Sequence, residues 1–131
     1  MMHVLATWPE VKALIARTYP QHSVLSNDAL RVVWSGGSGP PGETLELNFG
    51  EIAGRGRLFL GAFVAMEDDV PSREALAFNS QMMIGSLVLY QGKVVCRHVM
   101  TVGSFDASEL AEAIESVGRG AERARGSLVR R

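Results

Sequence analysis

Cys96 and His98 are the two residues whose types and spacing come closest to a reactive site. One residue separates them in a run of strand formers, so their side chains would point to the same face of a β-strand. A cysteine nucleophile needs a base and a group that orients this base, and no third residue in the sequence fits that role. A zinc site needs about four converging ligands, whereas His3 and His22 lie on unrelated segments. We therefore predict a buried thiol beside a surface histidine, with no catalytic residue and no metal ligand.

Two other segments have the composition of a ligand site but not its spacing. The acidic run at residues 67–69 could attract a cation, but it lacks the ligand spacing of a calcium loop, and a solvated turn before a helix explains it better. The glycine-rich residues 36–42 lack the lysine and the following helix of a phosphate-binding loop, and we predict a flexible connection. The serines do not form the Gly-x-Ser-x-Gly motif of hydrolases. The sequence therefore predicts neither a cofactor nor an enzyme.

Residues 7–20 carry the signals of a short amphipathic helix. Thr7 can cap it, Pro9 is tolerated in its first turn, and Glu10 completes a capping box. Pro20 ends it, because proline lacks a backbone donor and disfavours helix in the residue before it.

Three extended segments come next and predict three antiparallel strands. Residues 23–34 are rich in strand formers and bend at residues 27–28. Residues 44–49 alternate between apolar and polar, which predicts a strand with one buried face. Residues 57–66 are more uniformly apolar, as expected of a central strand with both faces partly covered.

The second half of the chain predicts a helix, a hairpin and a final helix. Pro71 opens the first of these helices and Gly85 ends it. Gln91 and Gly92 form the turn of a hairpin between residues 85–90 and 93–100. The shared face of the second helix would carry Leu76, Asn79, Met82 and Met83, with Phe78 flanking it.

The last helix begins with a capping box formed by Asp106 and Glu109. Gly118, Gly120 and Gly126 should weaken its last turns, each by roughly 1 kcal/mol relative to alanine. The element order is then α-β-β-β-α-β-β-α. This order predicts a two-layer α+β fold in which helices pack on a five-stranded antiparallel sheet.

Length, charge and cysteine content restrict the function further. A chain of 131 residues has the size of one domain, and we predict a single domain over residues 1–131. A net charge of −1 argues against nucleic acid as the partner. Five arginines lie from Arg119 onward, but glutamates are interleaved with the first of them, which indicates a solvated helix face. The longest apolar run, residues 58–66, is about half of a membrane span, and the single cysteine suits a reducing compartment, so we expect a cytoplasmic protein without a membrane partner.

The second half of the sequence resembles a known group of proteins. The resemblance rests on the element order, Asn79 in the second helix, the strands at 85–90 and 93–100 with Arg97, and Phe105 before the last helix. These features are similar to those of the YbjN-like group, and also to the type III secretion chaperones that share its fold.

This resemblance implies a non-catalytic protein that forms a homodimer and binds a client protein. In the secretion chaperones the second helix and neighbouring strands form the dimer interface, which by position implies Leu76, Phe78, Met82 and Met83 as interface residues here. Those chaperones are generally strongly acidic, whereas this chain is nearly neutral. The difference favours the broader YbjN-like group.

One alternative from another functional class stays open. A small-molecule or nucleotide-sensing domain would hold its ligand in a cleft between the sheet and the loop at residues 36–42. Small-ligand sites are concave and mostly apolar with a few polar anchors, and such a site needs no sequence motif.

Overall fold

The computed structural model describes residues 3–36 and 42–129, which form three helices and one antiparallel sheet. The helices are α1 (Trp8–Thr18), α2 (Ser72–Asn79) and α3 (Ala107–Leu128). The strands are β1 (His22–Ser26), β2 (Ala29–Trp34), β3 (Glu43–Ile52), β4 (Arg55–Met66), β5 (Ser86–Tyr90) and β6 (Lys93–Thr101). Their spatial order is β1-β2-β3-β4-β6-β5, and the short segment Glu67–Asp69 between β4 and α2 is a 3-10 helix.

The predicted number of five strands is wrong, because the described residues contain six. The segment predicted as one bent strand is a hairpin in which β1 pairs with β2, for example through Val24 and Leu30. The bend at residues 27–28 was correctly located, but it reverses the chain instead of kinking it. The side chains of β1 are exposed or half-buried, so this strand lacks the apolar alternation that would have marked it as separate.

The first helix begins at its predicted cap. The Thr7 hydroxyl oxygen accepts a hydrogen bond from the Glu10 backbone N–H at 3.3 Å, and the Glu10 carboxylate accepts one from the Ala6 N–H at 2.6 Å. The Trp8 indole N–H donates to the Asn27 carbonyl at 2.8 Å, and its ring stacks on Phe49 at 5.4 Å between centroids. These contacts fix α1 against the β1-β2 turn and against β3.

Helix α2 is shorter than predicted, because it ends at Asn79 and not at Gly85. The Asn79 side chain turns to the sheet edge, where its oxygen accepts from the Leu87 N–H at 2.6 Å and its nitrogen donates to the Leu87 carbonyl at 3.0 Å. Gly85 has a φ of +82°, which lets the chain return into β5. Met82 and Met83 therefore lie after the helix rather than on its face.

The core lies between one face of the sheet and the helices α1 and α3. Fully buried leucines of β3 and β4, Leu45, Leu47, Leu58 and Leu60, face Leu110, Ile114 and Val117 of α3 across this layer. Each such side chain contributes about 1.5–3 kcal/mol by leaving water. Helix α2 packs beside the same layer, against β5 and α3.

The predicted capping box of α3 is confirmed, whereas its glycines do not interrupt the helix. The Asp106 carboxylate accepts a hydrogen bond from the Glu109 N–H at 2.9 Å. This bond and the hydrogen bonds from Ser108 lower the pKa of the Asp106 carboxyl. A Cβ at Gly118 would lie 2.5 Å from the Trp34 ring, so glycine allows α3 to approach the sheet closely.

Candidate protein-binding surface

One face of the sheet carries no helix, and we call it the open face. Because side chains alternate along a strand, the residues between the core positions of β4 and β6 point away from α1 and α3. Phe63 and Val99 on this face are 48% and 40% exposed, and Tyr90 of β5 is 56% exposed. The prediction that both faces of β4 are partly covered is therefore wrong for this face. The strand is central in the sheet, as predicted, but it is covered on one side.

The open face contains a groove of about 790 Å³ that runs across β3, β4, β6 and β5. Its apolar lining includes Phe59, Phe63, Val88 and Val95. Gly61 lies between the two phenylalanines along β4, and a Cβ added there would lie 3.4 Å from a Val95 methyl carbon. The missing side chain at this position deepens the groove at its middle.

The pairing register arranges the groove in three rows across the strands. Phe63 pairs with Val95, which pairs with Val88, so this row is apolar. In the second row Phe59 pairs with Val99, which lies beside the groove, and on its other side with Asn48, so this row is apolar over β4 and β6 only. Between them runs a polar row, in which Gly61 pairs with Arg97 on one side and with Glu46 on the other. Same-face rows along a strand are about 7 Å apart.

The charges of the groove are not balanced. Glu46 is the single carboxylate among its lining residues, and it forms an ion pair with Arg31 at 3.2 Å. The Arg97 guanidinium lies 5.7 Å above the Phe59 ring, a cation–π arrangement, and Lys93 is exposed at the start of β6. Among residues 3–36 and 42–129, no carboxylate forms an ion pair with Arg97 or Lys93. The groove therefore presents two cations to a ligand.

The structure separates the four interface residues implied by the resemblance into two pairs. Leu76 on α2 and Met83 in the turn after it are 72% and 99% exposed. Phe78 is buried beneath the Arg123 guanidinium at 5.6 Å, and Met82 packs against the core near Gly120. Leu76 and Met83 are thus accessible to a partner, whereas Phe78 and Met82 pack in or against the core.

The sheet edge beside α2 is partly closed. Leu87 of β5 directs its N–H and carbonyl outward, and the Asn79 side chain occupies both. Leu89 on the same strand is 60% exposed. Leu76, Met83 and Leu89 are exposed apolar residues on α2, on the turn after it and on β5, against which α2 packs, and we call these three residues the edge patch.

The arginines of α3 make more contacts than a solvated helix face would. Arg119 lies 5.3 Å from the Trp34 ring and pairs with Glu115. Arg125 donates to the Glu43 carboxylate at 2.7 and 2.9 Å and to the carbonyl oxygens of Phe63 and Val64. Those carbonyls belong to an irregularity in the β4–β6 pairing, so Arg125 fixes the backbone that carries Phe63 into the groove. Arg130 and Arg131 lie outside the described residues.

Cys96 and His98 lie on the covered face of β6. Cys96 is fully buried near Gly120, and burial raises the pKa of its thiol to about 12. His98 is half-buried rather than at the surface, and burial lowers the pKa of its imidazole. A thiol of this kind is protonated near neutral pH and is a poor nucleophile. Over residues 3–36 and 42–129, no group of three or more histidine, cysteine or acidic residues could hold a metal ion.

Part of the open face was missed by the sequence argument. Phe59 and Phe63 belong to residues 57–66, for which the sequence predicts only a central strand with both faces partly covered, because its alternating positions are apolar on both faces. Two aromatic residues on the second face, separated by a glycine, were the available signal. The loop of the alternative ligand cleft falls mainly on residues 37–41, which lie outside the described residues.

None of the helices in residues 3–36 and 42–129 combines the length and the apolar character that crossing a bilayer requires.

Comparison with solved structures identifies the fold. The chain superimposes on a chain of the crystal structure of the ExsC–ExsE complex with a TM-score of 0.68, and the match covers 97% of this chain and 98% of that one. Their sequence identity is 16%, so the likeness concerns the fold alone. No protein-family model matches the sequence, and no curated protein does so. The protein therefore shares the α+β fold of that chain.

Proposed function

We propose that this protein is a non-enzymatic chaperone or adaptor that binds another protein through the open face of its sheet. The observation that carries this proposal is the groove itself, in which Phe63, Val88 and Val95 meet solvent although helices cover the opposite face. Contiguous exposed apolar surface of this kind is typical of protein-interaction sites. Side-chain pockets on the face would receive alternate side chains of an extended segment.

The comparison with solved structures supports this proposal at the level of the fold. The matching chain comes from a complex of ExsC with ExsE, so this fold occurs in a protein assembly. The nearly neutral charge of the present chain favours a YbjN-like protein over a secretion chaperone proper. The buried free thiol of Cys96 is compatible with the cytoplasmic location that we propose.

We further propose that the protein acts as a homodimer through the edge patch. Leu76 and Met83 expose large apolar side chains there, and Leu89 adds to them on the neighbouring strand. A two-fold interface brings the same patch of both copies together, and an uncharged apolar patch suits that symmetry. Sedimentation velocity of the wild type should give a dimer. Leu76→Asp should give a monomer, and the groove variant Phe63→Asp should remain dimeric; a monomeric wild type would remove this part of the proposal.

Purification from the native cells tests the binding of a client. We expect a tagged wild-type protein to retain a defined protein partner that quantitative mass spectrometry identifies, and Phe63→Asp to lose it by at least about tenfold, since a charge in the centre of an apolar contact costs at least about 1.4 kcal/mol. Glu112→Lys on the exposed side of α3 is the matched control and should retain the partner. Equal retention by both variants would contradict the proposed surface.

A small-molecule sensor is the second candidate, and the size of the groove favours it. A volume of about 790 Å³ falls within the range of ligand pockets. A specific ligand must raise the melting temperature by mass action, so a thermal-shift screen against metabolites and nucleotides separates the two functions. A metabolite whose effect disappears in Phe63→Asp would favour the sensor.

A further inference from the structure

We propose that the groove selects an extended acidic segment of its partner, in which a carboxylate residue lies between two large apolar residues on one face of the segment. This inference rests on the proposed protein-binding function and specifies the partner's chemistry. It follows from the three rows of the open face and from the cations that these rows leave unpaired.

The spacing of the rows matches the spacing of an extended chain. In a strand, side chains at positions i, i+2 and i+4 point to the same side and are about 7 Å apart, as are the rows of the sheet beneath. A segment lying along β4 and β6 would place one apolar residue over the row of Phe63 and Val95, and a second over the row of Phe59 and Val99. The residue between them would face the polar row.

The polar row favours a carboxylate at that middle position. Glu46 is already paired with Arg31 at 3.2 Å, and Gly61 contributes no side chain. Arg97 is exposed, held over the Phe59 ring, and has no carboxylate partner among residues 3–36 and 42–129. A guanidinium binds a carboxylate through two parallel hydrogen bonds, which makes it a selective partner for an acidic residue. Lys93, exposed at the start of β6 and beyond the Val95 row, lies outside the polar row but adds a second positive charge to the groove.

The same charges disfavour other occupants of this face. A basic segment would bring like charges against Arg97 and Lys93. A second copy of the chain, placed face to face by a two-fold axis, would oppose two sets of these cations. A nucleic acid would satisfy the cations and would find Phe59 and Phe63 for base stacking, but the net charge of −1 of the chain disfavours it.

Three labelled peptides of equal length test the inference by fluorescence anisotropy. The first carries Val-Thr-Glu-Thr-Phe, the second replaces its glutamate by lysine, and the third has the composition of the first with the glutamate moved next to the phenylalanine. The first should bind at least about tenfold more tightly than the second, and its advantage should shrink as salt is added. It should also bind more tightly than the third, because only the first places its carboxylate over the polar row.

Two protein variants link this preference to Arg97. Arg97→Glu should reverse the order of the first two peptides, and Arg97→Gln, which keeps a similar volume, should abolish the difference between them. Arg73→Glu makes the same charge change on the exposed surface of α2 and should leave the order unchanged. Melting curves of all variants report whether each one folds.

Each contrary result has a distinct meaning. Equal binding of the acidic and basic peptides would overturn the charge preference while leaving protein binding to the purification experiment. A preference that survives in Arg97→Gln would overturn the assignment to this groove. Tighter binding of a labelled single-stranded oligonucleotide than of the acidic peptide would overturn the inference in favour of nucleic acid. Failure of all three peptides to bind would overturn it too, and a partner retained by the tagged protein would then show that protein binding itself stands.

Discussion

The two faces of the sheet are built from the same strands but have different compositions. On the covered face, β4 contributes Leu58 and Leu60, which are completely buried under helices. On the open face, the alternate residues of the same strand are Phe59, Gly61 and Phe63. On this strand, leucines face the closed layer, whereas phenylalanines beside unpaired cations line the open face. The difference teaches that one strand can supply the core on one side and, in the function that we propose, a binding surface on the other.

Truncation of one side chain on each face should give the largest contrast. Leu60→Ala removes a fully buried side chain and should lower the free energy of unfolding by about 2–5 kcal/mol. Phe63→Ala removes a larger but half-exposed side chain and should cost less than about 1.5 kcal/mol. Urea unfolding followed by circular dichroism measures both. Equal losses would mean that the open face is also part of the core.

The approach of α3 to the sheet gives the next contrast. In Gly118→Ala the new methyl group would meet the Trp34 ring at 2.5 Å, and we expect a loss of about 1–3 kcal/mol from the strained packing. Gly126→Ala is the matched control, since a Cβ there has no neighbour within 4 Å, and it should stabilise α3 by up to about 1 kcal/mol. Thermal unfolding of the two variants should therefore shift in opposite directions; a stabilising Gly118→Ala would contradict the close packing.

The sheet edge at β5 lies between the two faces, and the Asn79 side chain covers the backbone groups of this edge at Leu87. Asn79→Ala leaves the outward N–H and carbonyl of Leu87 without their side-chain partner, which should cost about 1–2 kcal/mol. The Leu87 amide should then exchange its hydrogen faster in native-state exchange experiments. Ser80→Ala, at an exposed position one residue later, should leave that amide unchanged. Unaltered exchange at Leu87 in Asn79→Ala would show that the edge is closed by other means.

The smallest change to the protein is a second thiol on the open face, whose labelling can be compared with that of Cys96 on the covered face. Cys96 is buried, and the raised pKa of its thiol keeps it protonated, so alkylation near neutral pH should be slow. A second thiol in Val95→Cys would lie one residue away on the open face and should react at least about tenfold faster. Mass spectrometry of the labelled peptides measures both rates, and rapid labelling of Cys96 in the folded protein would contradict its burial.

The same pKa shift gives a pH dependence of stability. The folded state holds the Cys96 pKa at about 12, above its ordinary value of 9.0, so folding favours the protonated thiol. Its contribution is complete below 9.0 and is lost as the pH rises through about 12. Between these pH values the free energy of unfolding should therefore fall less with rising pH in Cys96→Ala than in the wild type.

The elements with strong local signals could be predicted from the sequence. Thr7 caps α1, Asp106 and Glu109 form the capping box of α3, and the turn at Gln91 joins β5 to β6. These features depend on a few adjacent residues, and their chemistry is the same in any fold.

Features that depend on distant contacts could not be predicted in this way. Strand β1 is defined by its pairing with β2, because its own side chains remain largely exposed. Helix α2 ends where Asn79 reaches Leu87, which is a tertiary hydrogen bond. The open face was hidden because an apolar strand gives the same pattern whether a second layer covers it or not.

Photocrosslinking from the two sides of the molecule tests the central claim most directly. A photoreactive amino acid would replace Phe63 on the open face or Glu112 on the exposed side of α3, and both proteins would be irradiated in the native cells. We expect a discrete protein adduct from position 63 and none from position 112. Adducts from position 112 alone, or from both positions equally, would contradict the assignment of the open face as the protein-binding surface.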